Sequence, residues 1–295
     1  MYSLLALLSG ITLAVMVSLN GGLSAQYGTF TATAIIHLVG SLAAFIATLF
    51  QKEKKKILGH KPYWIYLGGV IGVFTVVAQN TAYGRISMTS IVALGLLGQT
   101  IMSLIVDNFG LFGMKKNRFR LTNIPGLIIC FIGMSIMFDG SLSKDATTAI
   151  IMCLCSGFSI VLSRTVNARL ANHIGPLRGS MVAHITGLPV TVIIALVASK
   201  GNLLINYTPS EFKPWIYMGG ILGVTVILLS NITVTKLPAY NLTLLTFIGQ
   251  VFFSLVLDIL FGNTYSNITI KAGLIIAAGI GLNYLLDMIF KKETA

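Results

Sequence analysis

A short series of polar side chains occurs twice in a chain that is otherwise strongly apolar. Its members are a glutamine, a serine and an aspartate spaced four residues apart, and residues at that spacing share one face of an α-helix. Such groups are costly against lipid, so we expect them to face a bundle interior or a cavity, where they could hydrogen-bond a polar solute. The two copies are Gln99, Ser103, Asp107 and Gln250, Ser254, Asp258.

Other polar residues in apolar stretches extend this predicted site. We expect substrate contacts from Asn20 and Asn167 as well as from the glutamines and serines, and gating or proton coupling from a second set. That second set is His37, His184, Asp107, Asp258, Asn80 and Asn231. Structural alternatives stay open: the glutamines could tie helices together, the asparagines could cap helix ends, the histidines could be packing residues, and the aspartates could reach headgroup water or a basic partner.

Metal, cofactor and covalent chemistry have little support in the sequence. Cys130, Cys153 and Cys155 lie in apolar stretches without zinc-ligand spacing, so we interpret them as packing residues. The sequence contains neither His-Glu-x-x-His nor the Gly-x-x-x-x-Gly-Lys-[Ser/Thr] phosphate-binding loop. We therefore expect no metal, no cofactor and no direct use of ATP, and we rank an intramembrane enzyme last among the possible functions.

The composition excludes the soluble classes of protein. Of 295 residues, 55% are hydrophobic and 9% are charged, whereas about a quarter of an ordinary soluble domain is charged. A soluble fold of this size cannot bury that much apolar surface. The net charge of +12 does not indicate nucleic-acid binding, because the basic residues lie in short runs between apolar stretches.

These apolar stretches predict an all-α polytopic membrane protein. Each is close to the 20 or so residues that cross a bilayer as a helix, and the short connections leave no room for a soluble domain. The predicted spans are 2–20, 30–50, 63–82, 88–111, 121–139, 147–168, 177–198, 214–234, 240–262 and 269–290.

The chain also contains an internal repeat. Polar residues and glycines of the first half recur in the same order in the second half, at an offset of 147 residues. The offset is 151 from Trp64 to Asp107 and returns to 147 at Gly126. The halves, 1–143 and 144–295, thus carry five predicted spans each, and an odd number of spans inverts the second half relative to the first. Matched pairs include Asn20 with Asn167, His37 with His184, Gly69 with Gly220, and Gln99 with Gln250.

Basic residues orient the predicted spans. With both termini in the cytoplasm, 15 lysines and arginines fall on the inner side and 5 on the outer side, as the positive-inside rule requires. In this interpretation Arg164, Arg169, Arg178 and Lys236 belong to inner loops. Asn20, His37, Asn80 and Asp258 are then predicted towards the outer side, their counterparts Asn167, His184, Asn231 and Asp107 towards the inner side, and the glutamines near the midplane. The two histidines would belong to separate gates.

Several of these residues carry a family resemblance. Gly98-Gln99, Ser103 and the run from Leu104 to Gly110, with Ser9-Gly10, Asn20 and Gly28, resemble the YdcZ-like branch of the drug/metabolite transporter (DMT) superfamily. The resemblance implies an EamA-like bundle of ten helices, with the first four of each half around a central cavity. It also implies a secondary carrier. The mid-helix glutamate of the related small multidrug-resistance proteins is missing from the first and sixth spans, so their proton exchange chemistry is not carried over.

The sequence therefore predicts a secondary active transporter in the cytoplasmic membrane. We expect it to move a small metabolite or amphiphilic compound by alternating access, and the few buried charges favour a neutral, zwitterionic or weakly charged substrate. A lipid scramblase or a structural membrane partner is the alternative. Expected partners are the substrate, the lipid bilayer and a coupling proton or sodium ion, without nucleic acid, and the chain could act as a monomer or a homodimer.

Overall fold

The protein is an all-α membrane protein, described here from a computed structural model. The described residues are 1–51, 56–57, 59, 62–86, 88–114, 116, 124–137, 144–205, 207–208, 213–260 and scattered helical positions between 271 and 289.

Nine long α-helices lie within the described ranges, and short 3-10 turns precede the third and the eighth. The apolar composition of these segments favours helices because a helix satisfies its own backbone hydrogen bonds in lipid. The helices are α1 (Tyr2–Tyr27), α2 (Thr29–Leu49), α3 (Gly68–Ala82), α4 (Met88–Phe109), α5 (Ile124–Met137), α6 (Lys144–Ile174), α7 (Pro176–Ala198), α8 (Gly219–Thr233) and α9 (Ala239–Leu260).

Seven of the described helical segments are long and apolar enough to cross a membrane. They correspond to seven of the ten predicted spans, and the fifth and ninth predicted spans coincide with the apolar helices α5 and α9. Most of the predicted tenth span lies outside the described residues. The candidate spans are Tyr2–Tyr27, Thr29–Leu49, Tyr63–Ala82, Ser90–Phe109, Thr147–Ile174, Pro176–Ala198 and Pro214–Thr233.

Helices α1 and α6 extend beyond the predicted ends of their spans. Each continues seven residues past its asparagine, so Asn20 and Asn167 are interior helix residues, and the alternative in which they cap helix ends is wrong. The chain reverses instead at Gly28 and Gly175, whose φ angles are 77° and 93°. Glycine adopts such angles without the steric cost that a side chain would impose.

Corresponding helices of the two halves pack against each other in opposite directions. A Cβ built on Gly40 of α2 would lie 2.2 Å from the ring of His184 in α7, and one on Gly187 would lie 2.7 Å from the ring of His37. Because the earlier residue of one helix faces the later residue of the other, α2 and α7 run antiparallel. The same reasoning applies to α4 and α9, where Ser103 bonds Thr243 and Asp107 bonds the backbone of residue 239.

Repeated glycines allow these helices to approach closely. A Cβ on Gly69 would lie 1.9 Å from the carbonyl oxygen of Ala183, and one on the matched Gly220 would lie 2.5 Å from that of Ile36. In lipid, helix association depends on such close van der Waals contact because burial of apolar surface supplies little driving force. These matched glycines therefore lie at close contacts between helices.

Candidate functional site

The central cavity lies where α1–α4 meet α6–α9. It has a volume of about 130 Å³, close to the roughly 150 Å³ of an engineered protein cavity that binds benzene. Much of its wall is apolar, including Leu13, Met16, Ile36 and Ile160. Six predicted site residues also line it: Asn20, Asn167, His37, His184, Gln99 and Gln250.

The other predicted site residues whose side chains are described lie away from this cavity. Ser103 and Ser254 are fully buried between helices. Asn80 donates to the Thr33 hydroxyl at 3.2 Å, and Asn231 donates to the carbonyl of Pro176 at 3.0 Å. Both asparagines thus tie neighbouring helices together. Asp258 belongs to α9, but its side chain lies outside the described part of the chain.

Arg164 is the site residue that the sequence interpretation missed. We expected it in a cytoplasmic loop, but it lies in the middle of α6, is 7% exposed and lines the central cavity. The reason is the length of α6, which continues ten residues past Arg164 to Ile174. The repeat contained the signal: Arg164 matches Val17, which lies well inside the first predicted span.

The guanidinium of Arg164 joins α6 to α4 and α9. Its Nη2 donates to the hydroxyl of Ser103 at 3.0 Å, to the carbonyl of Ala239 at 3.2 Å and to the hydroxyl of Thr243. Its Nη1 makes a long 3.4 Å contact with Oε1 of Gln99. Its Nε has no hydrogen-bond partner. One edge of the cation is therefore held by the protein, while another carries free donors.

Asp107 anchors the start of α9. One carboxylate oxygen accepts from the backbone N–H of Ala239 at 3.2 Å, and the other accepts from that of Tyr240 at 2.9 Å. The first N–H groups of a helix lack partners within the helix. A carboxylate at this end also interacts favourably with the positive end of the helix dipole. Asp107 therefore acts as a cap donated by α4, which fixes where α9 begins beside Arg164.

The polar groups at the matching positions of the second half have fewer hydrogen-bond partners. Gln250 lines the cavity, but its Nε2 is buried without a hydrogen-bond partner, and so is the hydroxyl of Ser254. Position 17, which matches Arg164, is a valine and offers neither charge nor hydrogen bond. The two halves of the cavity thus differ chemically: Gln99 contacts a cation, whereas Gln250 has an amide donor without a partner.

The two histidines lie side by side in the cavity wall. Their ring centroids are 5.9 Å apart, so their predicted separation into an outer and an inner gate is wrong. The reason is that α2 and α7 cross at this depth, where Gly40 and Gly187 leave room for the opposing rings. Each Nδ1 lies 3.1 Å from a backbone carbonyl four residues earlier. A carbonyl oxygen only accepts, so each Nδ1 carries the hydrogen and each Nε2 is left for other partners.

The two ends of the bundle differ in shape. At the end that contains Gly28, the ring of Tyr83 packs onto Gly21, and the hydroxyls of Tyr27 and Tyr217 share a 2.6 Å hydrogen bond. At the opposite end, which contains Gly175, there is a second cavity of about 560 Å³. We call it the vestibule. Asp107, Arg169, Asn172 and Lys236 are among its lining residues.

Metal-ligating residues do not cluster in the part of the chain that the structure describes. No group of three histidine, cysteine, aspartate or glutamate side chains in this part could hold an ion. Cys130 and Cys153 are buried and Cys155 is half-buried, and none of the three forms a disulfide among the described residues. What the cavity offers is therefore recognition by hydrogen bonds and charge.

Comparison with known proteins adds family information. A family model described as "Putative inner membrane exporter, YdcZ" matches residues 1–136 and 148–282. No curated protein gives a significant match. Among solved structures 29 chains match, and one protein crystal structure is 16% identical over 98% of this chain and 97% of its own, with a TM-score of 0.64. At that identity the likeness supports the fold alone.

Proposed function

This chain belongs to the YdcZ family, whose model carries the description "Putative inner membrane exporter, YdcZ", and on that premise we propose that it is a secondary transporter working by alternating access. A small molecule binds in the central cavity and leaves on the other side of the cytoplasmic membrane. The observation that carries this proposal is the composition of the cavity wall. Three matched pairs of polar residues, one member from each half, meet there: Asn20 with Asn167, His37 with His184, and Gln99 with Gln250.

The proposed architecture is an inverted repeat of ten spans, with five in residues 1–143 and five in 144–295. Its support is the exchange of contacts between halves. Gly98 in α4 faces the carbonyl of Leu154 in α6, and the matching Gly249 in α9 faces that of Leu7 in α1. A pseudo-two-fold axis relates such contacts, and antiparallel counterpart helices are what an axis in the membrane plane generates. A site on that axis can be presented to either side by rocking one half against the other.

Gating in this proposal occurs at the two ends of the bundle. The packing of Tyr83 on Gly21 and the Tyr27–Tyr217 hydrogen bond support a closed gate at the Gly28 end. The vestibule at the Gly175 end supports an approach path from that side. Arg164 lines the cavity and Asp107 lines the vestibule. The protein that separates the cavity from the vestibule, between these two residues, is the proposed inner gate.

We assign proton coupling to the histidine pair. Two imidazoles with centroids 5.9 Å apart repel when both are charged, so the pair favours a single proton at most. Each ring keeps Nε2 free of the backbone hydrogen bond that its Nδ1 makes. A proton gained or lost at these positions changes both the charge of the cavity and its hydrogen-bonding pattern, which is how a proton gradient could drive transport.

The proposed orientation places both termini and the vestibule in the cytoplasm. Its support is the distribution of basic residues along the chain, because lysines and arginines accumulate on the cytoplasmic side. Arg164 no longer belongs to that count, since it lies in the cavity wall. The remaining 14 inner residues against 5 outer residues still favour the same orientation.

The test is solute exchange in vesicles that contain the purified protein. Radiolabelled benzamide, benzoate and benzylamine probe a benzene-sized cavity with a neutral, an anionic and a cationic molecule. We expect saturable counterflow of at least one probe. Gln250→Leu should lower that exchange by at least about tenfold. The substitution removes a hydrogen bond between the Gln250 amide and the bound molecule, which is worth about 1.5 kcal/mol.

The matched control is Gln79→Leu. Gln79 is also buried, at 8% exposure, but it lines neither cavity. Solute exchange by the Gln79→Leu variant should therefore match exchange by the unmodified protein. The proposal fails if no probe shows saturable exchange. It also fails if Gln250→Leu transports normally, because the cavity would then not be the route.

A further inference from the structure

We propose that Arg164 binds an anionic group of the transported molecule, so that the cargo is a small organic anion carrying one negative charge. This inference rests on the proposed carrier function and adds the chemical class of its substrate. It follows from three observations: the charge of Arg164 lacks an ion-pair partner, its donors are not all used, and Arg164 is the one permanently charged cation among the described residues that line the cavity.

The charge of Arg164 is buried without a contacting carboxylate. Within the described ranges, no carboxylate oxygen lies within 4.0 Å of its guanidinium. Asp107 interacts with it electrostatically, but both Asp107 oxygens accept from the backbone at the start of α9. A buried cation held mainly by neutral dipoles is costly, so an anion that enters the cavity gains the attraction that the protein leaves unused.

The geometry of the guanidinium leaves donors for that anion. Arginine has five N–H groups, and the three acceptors that the protein places closest all contact Nη2. Nη1 has two hydrogens and makes one long contact of 3.4 Å to Gln99. Nε has no hydrogen-bond partner. At least one hydrogen on Nη1 and the buried one on Nε are therefore not bonded to a protein acceptor, and a carboxylate accepts such donors well.

The opposite half supplies a neutral donor and no second charge. Gln250 lines the same cavity with an unpartnered Nε2, and Val17 occupies the position that matches Arg164. One cation with one free amide suits a molecule with a single anionic group. Since much of the remaining wall is apolar and the volume is about 130 Å³, the cargo is a small aromatic or branched monocarboxylate. This narrows the sequence expectation of a neutral, zwitterionic or weakly charged substrate to the last of these.

The test compares three ligands of one size on the purified protein at neutral pH. Isothermal titration calorimetry and thermal shift are recorded with benzoate, benzamide and benzylamine. We expect benzoate to bind at least about tenfold more tightly than benzamide, because charge-assisted hydrogen bonds are roughly twice as strong as neutral ones, and we expect no binding of benzylamine.

Variants then assign the binding to Arg164. Arg164→Gln should raise the Kd for benzoate at least tenfold, and Arg164→Lys, which keeps the charge but loses the fork, should raise it less. Arg178→Gln removes an arginine of the same half that lines neither cavity and should leave the Kd unchanged. If Arg164→Gln does not fold, the Lys variant and the benzoate-to-benzamide ratio of the unmodified protein still test the proposal.

Three results would overturn the anion assignment: benzoate does not bind, benzamide binds equally well, or Arg164→Gln binds benzoate normally. The vesicle assay separates this failure from that of the carrier. If benzamide or benzylamine is exchanged in a way that depends on Gln250 and benzoate is not exchanged, the carrier proposal stands and the anion proposal fails. If benzoate binds in a way that depends on Arg164 and no probe is exchanged, the anion site stands and the carrier proposal fails.

Discussion

Gly98 sits where α4 crosses α6, and replacing it should separate the two helices. A Cβ at position 98 would lie 2.1 Å from the carbonyl oxygen of Leu154 and 3.1 Å from the Cα of Gly157. A carbon and a carbonyl oxygen normally approach to about 3.3 Å. Gly98→Ala therefore requires a shift of roughly 1 Å between two backbones, and neither is a flexible side chain that could yield.

Gly95, one turn earlier on α4, provides the matched control. A Cβ there would lie 3.7 Å from the carbonyl of Cys153 and 3.7 Å from the hydroxyl of Ser156, which is ordinary contact. The matching position in the second half is Thr246, a residue that already carries a side chain. Both substitutions gain the same helix propensity, up to about 1 kcal/mol over glycine, so the difference between them isolates the steric cost.

The expected difference is the steric cost alone, because the propensity gain is common to both variants. Overpacking typically costs about 1–3 kcal/mol, so Gly98→Ala should be less stable than Gly95→Ala by about that amount. At roughly 2–4 °C per kcal/mol for a chain of this size, the two Tm values should differ by at least about 2 °C. Thermal unfolding of the purified variants in one detergent measures this.

The function should respond in the same order. Gln99 and Ser103 follow Gly98 on α4 and both contact Arg164, so moving α4 away from α6 should also weaken solute binding in Gly98→Ala. Equal Tm values for the two variants, within about 1 °C, would refute the close helix contact and with it the position assigned to Gln99.

Three further perturbations test other parts of the structure. Asp107→Ala removes the acceptor for two N–H groups at the start of α9 and should cost about 1 kcal/mol, the usual value of a helix cap; an unchanged Tm would contradict the capping role. His37→Gln removes one member of the histidine pair, so vesicles should lose proton-driven accumulation of the transported probe while equilibrium exchange persists. Equal dependence on the proton gradient in both proteins would exclude His37 from coupling. A cysteine at Lys236, which lines the vestibule, should react only with reagents added to the cytoplasmic side of a cysteine-free background, and one at Lys200 only from outside; labelling from the opposite sides would reverse the proposed orientation.

The polar stripe on α4 and α9 was predictable because it depends on local geometry. Gln99 and Gln250 are where the spacing of four residues puts them, on faces directed away from lipid, and both line the cavity. The matched glycines were predictable for the same reason, since a repeat of small residues every four positions marks a contact face. Their predicted roles in substrate binding stay predictions until solute exchange is measured.

Arg164 and the histidine pair were not predictable from local pattern. The predicted sixth span, 147–168, contains Arg164, but the positive-inside rule assigns its charge to the cytoplasmic side. Only the packed structure shows that acceptors on α4 and α9 hold this charge inside the bundle. The histidines are 147 residues apart in the chain. Their proximity depends on how α2 and α7 cross, which no single helix encodes.

The chain alone specifies that this protein lies in a membrane, that its halves are related, and which face of each helix is polar. These follow from composition, order and the 3.6-residue period of the helix, which are properties of neighbouring residues. Only the packed structure decides that His37 meets His184, that Asp107 caps α9, and that Arg164 faces a cavity with donors to spare. The physical reason is that relative depth and facing partners depend on helix length, crossing and close backbone approach between segments far apart in sequence.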